Sequence, residues 1–162
     1  MATVHLPPDL LAMMARGVSV IVGSRDAALR PSLMRAVGSR FEADSAAITV
    51  YLARPQSRQL LQDIAATGQI AVVFSEPSTH RTVQLKASRA TQRAAGQDDL
   101  EALAAYLASM EHEIQAVGFR PELTRAMLAH RLEDVVALTF TPEQAFDQTP
   151  GPRAGAAIGG AA

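Results

Sequence analysis

Apolar residues recur along this chain at two spacings, and the changes between them divide it into helices and strands. Leu10, Leu11, Met13 and Met14 follow Pro7, Pro8 and Asp9 and end at Gly17, which predicts a short first helix with those side chains turned inward. Leu60, Leu61 and Ile64 keep helical spacing between Ser57 and Gly68. A longer helix is predicted over 98–116, with Leu100, Leu103, Ala104, Leu107 and Met110 as its apolar stripe, and a fourth over 121–129, opened by Pro121. Short apolar or alternating runs bounded by turn residues predict strands at 18–23, 32–37, 46–52, 70–74, 82–90 and 135–141. Six short strands interrupted by helices predict an α+β fold with antiparallel pairing closed into a barrel.

The region from Ser57 to Ala90 carries the candidate chemistry. Ser57 stands where a helix N-cap belongs and Arg58 follows it, so a hydroxyl and a guanidinium meet at the positive end of a helix whose first N–H groups are unpaired. An ordinary cap followed by a solvated arginine is the simpler reading of these two residues alone, and a phosphate pocket is the other. In the predicted strand over 82–90, period-two geometry puts Val83 and Leu85 on one face and Thr82, Gln84, Lys86 and Ser88 on the other. Arg35 lies among largely apolar strand neighbours. If it points outward it is a solvated strand residue, and if it points into a cleft a phosphate would compensate it through charge-assisted bonds.

Composition narrows the possible functions. At 162 residues the chain fits one domain, able to bury roughly two-thirds of its unfolded surface. It has no cysteine, which excludes disulfides and thiolate chemistry and leaves redox work to a bound cofactor. A net charge of -1 without a long basic run argues against nucleic acid as a partner. No stretch approaches the length of a membrane span and no signal-peptide pattern opens the chain, so a cytoplasmic protein is expected. His5, His80, His112 and His130 lack metal-ligand spacing, and no metal site is expected. Residues 1–147 read as the folded domain and 148–162, rich in Gly, Pro and Ala, as a tail.

Order and spacing add a resemblance. The strand Val18 to Val22, the turn Ser24 to Arg30, PSLMRAV at Pro31 to Val37, then ITVYLARPQSRQLLQDI and IAVVFSEPSTHRTVQLKA together resemble the FMN-binding split barrels related to pyridoxamine 5'-phosphate oxidase. The resemblance covers most of the chain and implies a six-stranded antiparallel split β-barrel with peripheral helices. It also implies a homodimer with FMN at the interface. By it, Arg35, Ser57 and Arg58 would hold the FMN phosphate, Tyr51 would approach the flavin, and Thr82 and Gln84 would contact its ring or ribityl part. The sequence departs from the oxidases proper at Gln59, where they usually carry a basic residue, and at HRLED (His130 to Asp134), where Glu133 replaces the histidine of their substrate-phosphate motif. Their substrate is therefore not carried over.

The expected function is an FMN-dependent oxidoreductase acting on a small molecule, with the flavin supplying the redox step and no catalytic side chain assignable. The alternatives are a non-enzymatic flavin or haem binding or sensing protein of the same fold, a deazaflavin in place of FMN, and a structural homodimer.

Overall fold

The computed structural model describes residues 4–42 and 46–159. The first helix, α1 (Pro8–Ala15), begins on proline, whose missing N–H is no loss in a first turn, and buries Leu10, Met13 and Met14. Leu11 is 39 % exposed, contrary to expectation, because one step along a helix turns a side chain about 100° away from the face of its neighbour. Strands β1 (Ser19–Arg25) and β2 (Pro31–Arg35) form a hairpin, closed by the Asp26 N–H donating to the Arg30 carbonyl. Then come β3 (Gly38–Phe41), β4 (Ile48–Ala53), α2 (Arg58–Thr67), β5 (Ile70–Ser75), β6 (Thr82–Ala87) and β7 (Thr91–Ala94). The chain continues through α3 (Leu100–Ala116), α4 (Pro121–Met127), β8 (Val135–Phe140), β9 (Gln144–Asp147) and β10 (Ala157–Ile158).

The strands build two antiparallel sheets, one of six strands in the order β10-β9-β6-β5-β1-β2 and one of four in the order β3-β4-β8-β7. With four helices around them, the fold is α+β. All six expected strands are present, as β1, β2, β4, β5, β6 and β8, and four further strands of two to four residues join them. These are too short to show a periodicity, and hydrogen bonding to a longer neighbour makes them strands.

The two sheets share chain. Successive amides at the first corner donate to different sheets, Ala36 N–H to the Val20 carbonyl and Val37 N–H to the Tyr51 carbonyl. The expected strand over 82–90 also turns a corner: β6 ends at Ala87, and β7 begins at Thr91 in the other sheet. At this bend the chain passes against Gly68, the left-handed C-cap of α2 (φ 69°), and the Ala90 N–H donates to the Gly68 carbonyl.

The main core lies between the sheets, where Val20, Val22, Val72, Phe74, Val83 and Leu85 of the large sheet meet Ile48, Val50, Leu52 and Leu138 of the small one. Helix α3 covers the opposite face of the small sheet, with Leu103 against Val37, Tyr51, Ala53, Val135 and Ala137. Its buried positions are Leu103, Tyr106, Met110 and Glu113, so the stripe is rotated from the expected one and Leu100 and Ala104 face outward. The segment after Gln148 returns to the large sheet: the Gln148 N–H donates to the Thr82 carbonyl at 2.9 Å, and β10 pairs with β9. Residues 160–162 of the expected tail lie outside the described residues. Among the described residues, no helix is long and apolar enough to cross a membrane.

A Cβ at position 68 would lie 2.6 Å from the Ser88 carbonyl oxygen, on a backbone that L-residues rarely adopt. Gly68→Ala is expected to lower the unfolding free energy by about 1–3 kcal/mol in a urea titration. An unchanged midpoint would show that the corner relaxes freely.

Candidate functional site

The core takes one side of the large sheet and leaves the other side open. Alternation turns Ser19, Ile21 and Gly23 of β1, Ala71, Val73 and Ser75 of β5, and Thr82, Gln84 and Lys86 of β6 to this outer face. Pairing arranges them in rows. Ser19, Ser75 and Thr82 face one another across three strands, and Arg35 and Ile21 are paired in the next row, which continues through Val73 and Gln84 to Phe146. A third row runs through Leu33, Gly23, Ala71, Lys86 and Gln144.

Three of the expected site residues therefore share one face. The Arg35 guanidinium donates to Ser19 Oγ at 2.7 Å, Ser75 and Thr82 share a hydroxyl contact of 2.7 Å, and Thr82 Oγ1 also donates to the His80 carbonyl. Gln84 makes no side-chain hydrogen bond among the described residues, so its amide is available to a ligand. Ser19 and Ser75, which complete this polar row, went unnoticed in the sequence because the strand register that aligns them with Thr82 is a tertiary property. Burial pushes the Tyr106 hydroxyl well above its ordinary pKa, while the Arg35 charge and the backbone at Val20 act in the opposite direction.

Ser57 and Arg58 sit at the start of α2, which packs on β1 and β2. Ser57 occupies the N-cap position, yet its hydroxyl makes no cap bond: the residue is 2 % exposed and its Oγ has no partner among the described residues. Its carbonyl accepts the first helical bond, from the Leu61 N–H at 2.9 Å. Arg58 is exposed and makes no ion pair among the described residues. An anion at this end could take bonds from unpaired backbone N–H groups, from the Ser57 hydroxyl and from Arg58. No hydrogen bond or ion pair among the described residues joins these two residues to Arg35.

Tyr51 stands apart from the other five. It lies in the small sheet beneath α3, fully buried, and donates its hydroxyl to Asp99 Oδ1 at 2.8 Å. Asp99, 1 % exposed, also accepts two bonds from the Arg93 guanidinium at 2.7 and 2.8 Å, one from the Gly96 N–H at 2.9 Å and one from Arg40 at 3.3 Å. Arg93, chiefly, holds the Asp99 carboxyl well below the usual carboxylate range, while burial and then Asp99 push the Tyr51 hydroxyl upward. In the sequence Asp99 reads only as part of an acidic helix start. In the HRLED segment His130, Arg131 and Glu133 are exposed, with Arg131 paired to Glu133, while Leu132 packs against the core under α3; His80 lies in the β5–β6 turn at φ 63°.

No family model matches the sequence, and no curated protein matches it. Solved structures do. HupZ from Group A Streptococcus is 13 % identical, with 93 % of this chain and 100 % of that one covered and a TM-score of 0.55. An F420 reductase is 12 % identical over 86 % and 98 % of the two chains, with a TM-score of 0.58. A pyridoxamine 5'-phosphate oxidase-related, FMN binding protein from Nostoc punctiforme is 10 % identical over 92 % and 89 %, with a TM-score of 0.52. The chain has the pyridoxamine 5'-phosphate oxidase-like fold. Within that fold, the large sheet carries Arg35, Thr82 and Gln84, and the start of α2 carries the buried Ser57 and the exposed Arg58.

Replacing Asp99 by Asn removes the charge that Arg93 and Tyr51 share and turns one of its two acceptor oxygens into a donor. Asp99→Asn is expected to lower stability by about 1–3 kcal/mol at pH 7, measured by urea denaturation. Because the folded-state pKa of Asp99 is depressed, its contribution is complete above the unfolded carboxylate value near 4 and is lost as pH falls below it. The gap between wild type and Asp99→Asn should therefore narrow on acidification from pH 5 to pH 3; a gap that widens would contradict the assignment.

Proposed function

We propose that this protein is an FMN-binding split-barrel flavoprotein, working as a homodimer with the cofactor at the interface and acting as an oxidoreductase on a small molecule. The observation that carries the reading is the buried, unpartnered Ser57 hydroxyl beside the free Arg58 guanidinium at the N-terminus of α2. Burying a hydroxyl without a partner costs about 1–3 kcal/mol, and a phosphate at this helix end would satisfy it while meeting unpaired N–H groups and a cation. The residues present thus fit the phosphate end of FMN. The FMN-binding description of the Nostoc protein and the F420 reductase of the same fold support a flavin-type ligand.

When bound, FMN would supply the hydride or electron transfer. The chain's share is binding and polarity. Ser57 and Arg58 hold the phosphate, and Arg35, fixed by Ser19, adds positive charge at the edge of the outer face. Gln84 offers both a donor and an acceptor to the ring system, and Thr82, held by Ser75 and His80, offers an oxygen in a fixed position. Tyr51 lies outside this site and ties β4 to the start of α3 through Asp99.

Two substitutions separate the ligand role of the helix end from a structural one. Ser57→Ala is expected to leave the ligand-free protein as stable as wild type or more so, since it removes a buried unpaired hydroxyl, yet to weaken FMN binding. Arg58→Ala is expected to raise the FMN Kd about tenfold or more. Absorbance and fluorescence titration with FMN, alongside thermal unfolding of each variant, reads both effects. Wild-type protein that shows no saturable FMN binding would overturn the proposal. Binding without turnover of any donor would leave the non-enzymatic binder, and a Soret band on purification would mark a haem protein.

A further inference from the structure

The third row of the outer face has a feature that neither the fold nor the cofactor site uses. A cleft of about 480 Å³ opens over Gly23 and Ala71, paired neighbours on β1 and β5. Gly23 has no left-handed φ, and a Cβ built on it would meet only ordinary contacts, 3.7 Å from the Ser32 carbonyl and 3.8 Å from that of Ala71. The backbone therefore does not require glycine in the middle of this strand, where glycine is intrinsically unfavourable. What the missing side chain provides is floor space on the open side of the sheet. Leu33 rises beside that floor, 66 % exposed with its apolar surface uncovered.

The polar groups around the floor fix the sign of what it would hold. Three hydroxyls in the lining are already spent as donors, Ser24 to the Gln69 carbonyl, Ser32 to Asp63 and Ser88 to both oxygens of Glu143. Two cations are not neutralised. Lys86, the only lysine in the chain, holds its ammonium 5.0 Å from the Phe146 ring centroid and pairs with no carboxylate among the described residues. Among the described residues Arg25 donates to the Asp26 carbonyl, at 3.2 Å, and pairs with no carboxylate. Against these two stands the single carboxylate of Glu143. Lysine and arginine donate and never accept, so a complementary ligand must present acceptors and negative charge.

We propose that this cleft binds a small planar aromatic anion, its ring lying flat over Gly23 and Ala71 against Leu33, and its carboxylate, sulfonate or phosphate group held by Lys86 and Arg25. The site goes beyond the cofactor reading and does not depend on it. Gln84 is one row away and Thr82 two, with rows about 7 Å apart along a strand.

The test uses 2-naphthoate as probe and the full chain, by calorimetry and by backbone amide shifts. One saturable site per chain is expected, with the largest shifts at Gly23, Ala71 and Lys86. Lys86→Met keeps the stem and removes the charge, and should weaken 2-naphthoate about tenfold while leaving the weaker binding of neutral 2-naphthamide unchanged. Gly23→Val, suited to a strand, should fill the floor and abolish binding; Ala71→Val repeats the test if Gly23→Val fails to fold. FMN affinity is expected to be unaltered in all of them. Absence of saturable binding, equal binding by Lys86→Met, or shifts centred on the apolar cleft between α1 and Pro142 would overturn the proposal. So would parallel loss of FMN, which would make the cleft part of the cofactor site. If Gly23→Val splits a dimer in sedimentation and spares 2-naphthoate, the space belongs to a second copy of the chain and the proposal fails.

Discussion

A single buried carboxylate determines which face of this molecule is covered and which is left open. Asp99 draws Arg40 from β3 and Arg93 from β7, the two outer strands of the small sheet, and Tyr51 from β4 between them. Taking that charge out of water is costly, and only a nearly complete set of donors makes it tolerable. Because Asp99 immediately precedes α3, meeting this demand lays the helix across the small sheet and buries Tyr51 and Leu103 beneath it. Asp99 draws no element onto the outer face of the large sheet, where Ser19, Ile21, Val73, Ser75, Thr82 and Gln84 are half-buried and Lys86 is exposed.

Much of the frame was legible in the sequence, for a physical reason. Strands such as β1, β5 and β6 are buried on one side, so their alternation is visible and places Thr82, Gln84 and Lys86 together without knowledge of the fold. Strand β4 is buried on both faces, where alternation carries no information, and the direction of Tyr51 could not be read. Strands β3, β7, β9 and β10 owe their state to neighbours far along the chain, and the corner inside 82–90 depends on Gly68, which lies before β5. Asp99 escaped notice because a DDLE sequence looks the same whether its acid faces water or two arginines.

The candidate helix end was legible in position and not in bonding. Ser57 is at the N-cap, as its place before Leu60, Leu61 and Ile64 implies, but the bond that usually justifies such a residue is absent. Its φ of -118° and ψ of 16° lie outside the extended region from which a serine hydroxyl reaches forward to its helix. A sequence rule for capping cannot distinguish a hydroxyl spent on its own helix from one held in reserve. That distinction is what turns an ordinary cap into a candidate contact for phosphate.

The corner at Ala36 and Val37 bears on how the molecule comes apart. Two neighbouring amides bind to different sheets, so neither sheet can slide or peel without straining the other's ladder at a shared peptide unit. Arg35 on the open face and Arg40 on the Asp99 carboxylate lie only a few residues either side of that joint. The two layers are thereby mechanically coupled, and loss of either one exposes the apolar interface of both. Such an arrangement unfolds as one cooperative unit, and the slowest amides to exchange with solvent would be those of the strands meeting at the joint.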